Sequence, residues 1–103
     1  MKTIAYVRVS TDTQDVTHQR LAILEFARTE RMVVDAFLEV QASSRRSGTV
    51  RQLDALLGSL APGDALIVSE LSRLGRSVGE IITLVDSLMQ HQVRVFALKE
   101  QQF

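Results

Sequence analysis

The chain of 103 residues contains no cysteine, which removes disulfides, thiolate nucleophiles and the commonest structural zinc sites. Its two histidines, His18 and His91, are too far apart to show ligand-like spacing, so neither a metal nor a small-molecule cofactor is expected. With one proline, 46% hydrophobic residues, 23% charged residues and no low-complexity tract, the composition is that of an ordinary globular domain. No apolar run approaches the roughly 18 residues that span a bilayer. The start MKTIAYVRV lacks a signal-peptide core with a cleavage site, so a cytoplasmic location without a membrane partner is expected. Net charge is also missing: twelve basic residues balance twelve acidic ones, which argues against a general, non-specific nucleic-acid binder. The balance hides a local bias. Ten of the twelve basic residues are arginine, and Arg8, the pair Arg45–Arg46, and Arg73 with Arg76 fall in or beside polar loops. A guanidinium fork binds phosphate bidentately and stays charged at any working pH, so a local phosphate site is allowed.

Residues 3–9 are short, β-branched and aromatic, and run into helix-capping types at Ser10–Thr13, which predicts strand, loop, helix. From about Gln14 to Thr29, Leu21, Ile23, Leu24, Phe26 and Ala27 recur at helical spacing among polar residues, an amphipathic pattern. Met32–Val40 reads as a second strand. The polar stretch Gln41–Thr49 has no periodicity and reads as a mobile loop. Val50, Leu53, Leu56, Leu57 and Leu60 form one helical stripe that Pro62-Gly63 ends. Asp64–Ser69 is a near-continuous apolar run, the pattern of a central parallel strand. After the insert ELSRLGR, Ser77-x-x-Glu80 forms a capping box ahead of a helix whose apolar side carries Val78, Ile81, Ile82, Val85, Leu88 and Met89. Gln92–Leu98 is a last strand, followed by a polar tail. The predicted fold is α/β, three-layered, with a mostly parallel four-stranded sheet in the order βαβαβαβ, helices on both faces, and residues 1–103 as one domain.

Ligands in such sheets bind outside the carboxyl ends of the strands. Ser10 follows the first strand and Arg73 and Arg76 follow the third, so the three are expected at one edge. A serine past a strand is most often a helix cap. It becomes a nucleophile where concentrated positive charge stabilises its alkoxide and a phosphorane-like transition state. Arg8, two positions earlier on the same strand face, and Arg73 and Arg76, three apart ahead of a helix, supply that charge in combination. Two lone arginines at a helix entry are otherwise a solvated basic patch. Gly75 between them permits close approach or a sharp turn.

In that order, YVRVST, Gln14 and Gln19, the basic SSRR, then PGDALIVSELSRLGRS and an amphipathic helix resemble the resolvase/invertase family of serine recombinases over essentially the whole chain. The resemblance implies Ser10 as nucleophile, Arg8, Arg73 and Arg76 as phosphate-activating residues, and Gln14 and Gln19 as active-site polar residues. It also implies a 5′-phosphoserine intermediate on double-stranded DNA, rejoining by the free 3′-OH without metal or ATP, and dimers or tetramers of the intact protein. Ser72 stands where many members carry an aspartate before the first arginine, which makes Asp64 the candidate acidic member, or else a turn aspartate after Pro62-Gly63. The family's loop arginine maps onto Arg46 by its SerSer-x-Arg pattern, with Arg45 and Arg51 as alternatives. Members continue into a long dimerisation helix and a DNA-binding region, which these 103 residues do not include, so no sequence-specific DNA binding is expected from them.

Two rivals remain at this point. A receiver-like or nucleotide-binding module would want an aspartate ending the third strand, where Ser69-Glu70 stands, or a G-x-G-x-x-G loop, which is missing. A catalytically silent fragment that pairs with intact recombinases is the other. His18 reads as a solvated helix residue, and His91 as a helix-ending cation.

Overall fold

The computed structural model describes residues 1–9, 13–41, 58–75 and 77–102. Five strands form one sheet in the order β2-β1-β3-β4-β5, with β1 at Thr3–Val9, β2 at Ala36–Gln41, β3 at Ala65–Val68, β4 at Arg94–Ala97 and β5 at Gln101–Gln102. The first four are parallel, as the alternation of strands and helices predicts, and β5 pairs antiparallel with β4 through Phe96–Gln102 and Ala97–Gln101. That fifth strand lies in what reads in sequence as a polar tail. A two-residue strand carries no hydrophobic pattern of its own and forms only because β4 offers a free edge.

The α1 helix, Thr13–Thr29, follows β1, and α2, Val78–Gln90, precedes β4. Right-handed crossovers fix their faces. The chain steps from β1 to β2 in one direction and from β3 to β4 in the other, so the two helices must cover opposite sides of the sheet. The core divides accordingly. Ala5, Val7 and Ile67 pack with Ile23 and Ala27 of α1, while Ile4, Tyr6, Leu66 and Val68 pack with Leu84 and Leu88 of α2. All four residues of β3 are buried, as a strand covered on both faces requires.

The helices bury less than their apolar patterns suggest. Leu21 and Leu24 on α1 and Val78, Ile82 and Met89 on α2 are exposed, because each helix spends only one stripe on the sheet. Ser77 caps α2 by accepting the Glu80 N–H at 3.2 Å, as predicted. The predicted helix over Val50–Leu60 is described only at its end, where residues 58 and 59 are helical, and Gln41–Thr49 lies almost wholly outside the described residues. The second strand begins later than Met32 because Met32 and Val34 are spent packing against the α1 side of the core. Asp35 then ties the chain to β1: its N–H donates to the Thr3 carbonyl at 2.8 Å and its Oδ2 accepts from Thr3 N at 2.7 Å.

Candidate functional site

In a parallel sheet of this order the chain leaves β1 for one side and returns to build β3 on the other, so β1 and β3 flank the topological switch point. In sheets of this kind ligands bind outside the carboxyl ends of the strands at that point. Past β3, residues Leu71–Leu74 form a single 3-10 turn, η1, that lies against both β1 and β3 with Leu74 buried. Gly75 follows with extended backbone, and its role is close approach: an added Cβ would meet Glu80 Cβ and Ile81 Cγ1, each at 3.2 Å. A short buried anchor, then close approach to α2, sets Arg73 beside the carboxyl ends of β1 and β3.

Seven of the described residues are linked across this edge. The β1–β3 register ends at Tyr6–Val68, whereas β1 continues against β2 to Val9–Gln41. Beyond Tyr6 a side chain replaces β3: Gln19 of α1, only 3% exposed, accepts the Arg8 N–H through Oε1 at 3.0 Å and donates through Nε2 to the Arg8 carbonyl at 3.0 Å. The same Nε2 donates to Asp15 Oδ2 at 3.0 Å, and Asp15 Oδ1 accepts from Arg73 Nη2 at 3.0 Å. Arg73 is also 3.5 Å from Glu70 Oε1 through Nε. Glu70 accepts from the Ser72 hydroxyl at 2.7 Å and lies 3.7 Å from Lys99 Nζ.

The Ser72 hydroxyl, aided by the charges of Arg73 and Lys99, holds the Glu70 carboxyl below its ordinary pKa. Burial pushes the Tyr6 phenol up to about 12, against the opposing pull of the Arg8 charge. Two buried polar atoms at this edge have no hydrogen-bond partner among the described residues, Ser69 Oγ and Arg73 Nε.

The structure therefore links the Arg8 backbone to Gln19 and, through Asp15, to the Arg73 guanidinium. Gln14 lies in the first turn of α1, next to Asp15 and exposed. Ser10, Arg76, Arg46 and its alternatives Arg45 and Arg51 lie outside the described residues. Asp64 is not brought to this edge. It directly precedes β3, at the amino end of the sheet, where it accepts from Lys2 N and Ala61 N, each at 2.8 Å. Those two N–H donors, Ala61 first, hold its carboxyl below the ordinary value. With both oxygens committed to the backbone at the far end of the strand, Asp64 serves the fold. The acids of the arginine edge are Asp15 and Glu70, which sequence reasoning passed over. The available signals were the i,i+4 spacing of Asp15 and Gln19 and the i,i+3 spacing of Glu70 and Arg73. His18 is exposed on α1, and His91 caps α2 with Nδ1 2.8 Å from the Ser87 carbonyl.

Comparison with known proteins bears on this edge. The chain matches the Resolvase, N terminal domain family over residues 3–103. It is 37% identical to the transposon Tn2501 resolvase of Escherichia coli over 100 residues, covering 94% of this chain and 50% of that protein. It is 36% identical over 97 residues to a DNA-invertase of Escherichia phage P1, covering 94% of this chain and 48% of that protein. The chain thus spans about half the length of these relatives. Its fold is that of the N-terminal catalytic domain of TP901-1 integrase, with a TM-score of 0.74 at 23% identity over 98% of this chain and 79% of that one. With a family match along nearly the entire chain and relatives of both resolvase and invertase type, this chain belongs to the resolvase/invertase family and corresponds to its N-terminal domain.

Proposed function

We propose that this chain is the catalytic core of a site-specific DNA recombinase and that Ser10 is its nucleophile. The carrying observation is the linked edge at the switch point, where Gln19 brackets the Arg8 peptide and Asp15 joins it to Arg73. Ser10 comes two residues after Arg8 in sequence. In the proposed step Ser10 Oγ attacks a backbone phosphorus, the Oγ–P bond forms, the P–O3′ bond breaks, and the 3′ oxygen leaves as a hydroxyl. Rejoining is the reverse, with a 3′-OH attacking the phosphoserine. The ester keeps the bond energy of the phosphodiester, so ATP is not required. Arg8, Arg73 and Arg76 carry the charge stabilisation, work that metal ions perform in many phosphoryl transfers, and Gln14 and Arg46 complete the polar surroundings. The partner is double-stranded DNA, engaged in the cytoplasm by a dimer or tetramer of the intact protein. That protein carries its dimerisation helix and DNA-binding region outside these residues.

The test uses the intact protein with supercoiled plasmid bearing its recombination site. Denaturant-trapped protein should be joined to 5′ DNA ends through Ser10, undiminished in EDTA, and Ser10→Ala should bind DNA without cutting. Cutting by Ser10→Ala, or a strict Mg²⁺ requirement for the chemical step, rejects the reading.

A further inference from the structure

Asp15 is held by two different parts of the molecule. Its Oδ1 accepts from Arg73 Nη2 on η1, and its Oδ2 accepts from the Gln19 amide that brackets the Arg8 peptide. We propose that Asp15 is a positioning residue for strand cleavage, one that fixes the Arg73 guanidinium relative to the end of β1. The proposal rests on reading Arg73 as a phosphate-binding arginine and Ser10 as nucleophile.

Three features carry it. The turn that bears Arg73 is four residues long and has no side-chain hydrogen bond at its N-cap, so by itself it aims the side chain poorly. An arginine side chain has about 2 kcal/mol of rotamer entropy to lose, and among the described residues the bond to Asp15 is what restrains it. Glu70 at 3.5 Å contributes charge without a hydrogen bond to Nε. Finally, Asp15, Arg73 and Glu70 each keep 28% of their side chains exposed, which is sheltered enough for a charged hydrogen bond to persist and open enough for a phosphate to reach the guanidinium. The bond uses one of the five guanidinium donors, and with Nε buried beside Glu70 the remaining Nη donors are left for phosphate.

A carboxylate on a phosphate-binding arginine could equally be a brake, which DNA must displace. Geometry favours the positioning role, because Asp15 is shared with Gln19 and so ties Arg73 to the strand that leads into Ser10. A brake would need only the contact with Arg73. Asp15 is also an acid in the first turn of α1, where it suits the helix dipole. The variants separate these roles. Asp15→Asn has one oxygen and one NH2, so whichever way the amide turns, a donor faces either Arg73 or Gln19 and one link is lost. Asp15→Glu keeps the charge for the dipole but moves the carboxylate by one methylene.

In the intact protein, single-turnover cleavage at saturating plasmid should fall about 10- to 100-fold in both variants, the scale expected for small misplacement of a reacting group. Affinity for DNA should change less than about threefold, within the range of a residue that does not touch it. Cleavage at or above the wild-type rate in Asp15→Asn identifies a brake and overturns the proposal. A normal rate in Asp15→Glu reduces Asp15 to a helix-dipole residue and also overturns it. Arginine side-chain NMR gives a readout independent of activity: Arg73 Nη signals that are resolved in the wild type should merge in Asp15→Ala, which removes both links. If they do not change, the tie is not there. A wild-type protein that forms no serine–DNA adduct rejects the functional reading and this role with it, while the NMR result still reports whether the tie exists.

Discussion

Asp35 and Asp64 at the amino end of the sheet and Asp15 and Glu70 at its carboxyl end use their carboxylates in opposite ways. At the amino end, Asp35 and Asp64 each precede a strand and accept backbone N–H groups from Thr3, or from Lys2 and Ala61, at 2.7–2.8 Å. At the carboxyl end, Asp15 and Glu70 face the long side chains of Arg73 and Lys99, and Ser69 Oγ and Arg73 Nε have no hydrogen-bond partner among the described residues. A carboxylate that accepts from fixed peptide donors near its own backbone closes a structure. One that meets a guanidinium on a short turn leaves donors over for something else. The difference lies in the partners, since the acids are of the same kind.

The largest test of this contrast is Arg73→Ala. Loss of one charge-stabilising donor group typically costs about 10²–10³ in rate. Single-turnover cleavage by the intact protein should fall by at least about 100-fold, with little loss of melting temperature. A variant that melts much lower yet cuts normally would make Arg73 a structural residue like those at the amino end.

Gln19→Ala comes next. It strips both partners from the Arg8 peptide at the point where β3 has ended, and leaving buried backbone groups unpaired costs about 1–3 kcal/mol. Urea unfolding should show that loss, together with slower cleavage, because this residue belongs to both fold and site. A stability loss with an unchanged cleavage rate would move Gln19 to the structural side.

Asp64→Asn is expected to matter less and only for folding. Since the Asp64 pKa is lowered in the folded state, its stabilisation is present above the ordinary aspartate pKa of about 3.9 and is lost as pH falls through the folded value. The variant should therefore melt lower at neutral pH and lose less on acidification, with cleavage unchanged where it is folded. A cleavage defect in fully folded Asp64→Asn would return Asp64 to the site. Glu70 has the same sign of shift, but part of its cause is the charge of Arg73 and Lys99, so added salt should shrink the Glu70 contribution more than that of Asp64.

The smallest effect concerns Tyr6, which lies between the two ends on the α2 side of β1. Its raised pKa leaves neutral stability untouched and costs stability only as pH rises from about 10, where an unfolded tyrosine ionises, towards about 12. Tyr6 is the only tyrosine, so absorbance titration reads it directly. Ionisation near pH 10 in a folded chain would show that water reaches beneath Arg8.

Much of this was legible in the residues. β-branched runs, the Ser77 cap and the apolar run ahead of Ser69 identified four parallel strands and the helices α1 and α2, because period and capping are local physics. Arg8 and Arg73 could be assigned to one edge before any coordinates, since alternating strands and helices force a parallel sheet with its loops on a common side. Asp64 was drawn towards that edge by the resemblance alone, and its position one residue ahead of β3 places it at the other. Position relative to a strand end decides which edge a residue serves, and a shift of a few residues reverses it.

By itself the sequence determined the α/β class, the alternation, the family, and which residue types were available for phosphate chemistry, all consequences of short-range pattern. Tertiary structure alone decided that β3 stops at Val68 while β1 runs on beside β2, so that Gln19 must stand in for the missing strand and Asp15 can reach Arg73, 58 residues away. The spacing of Asp15 and Gln19 is local, but nothing near Asp15 in sequence marks its contact with Arg73. Its partner is supplied by the register of a sheet, and register is set by packing across the whole core.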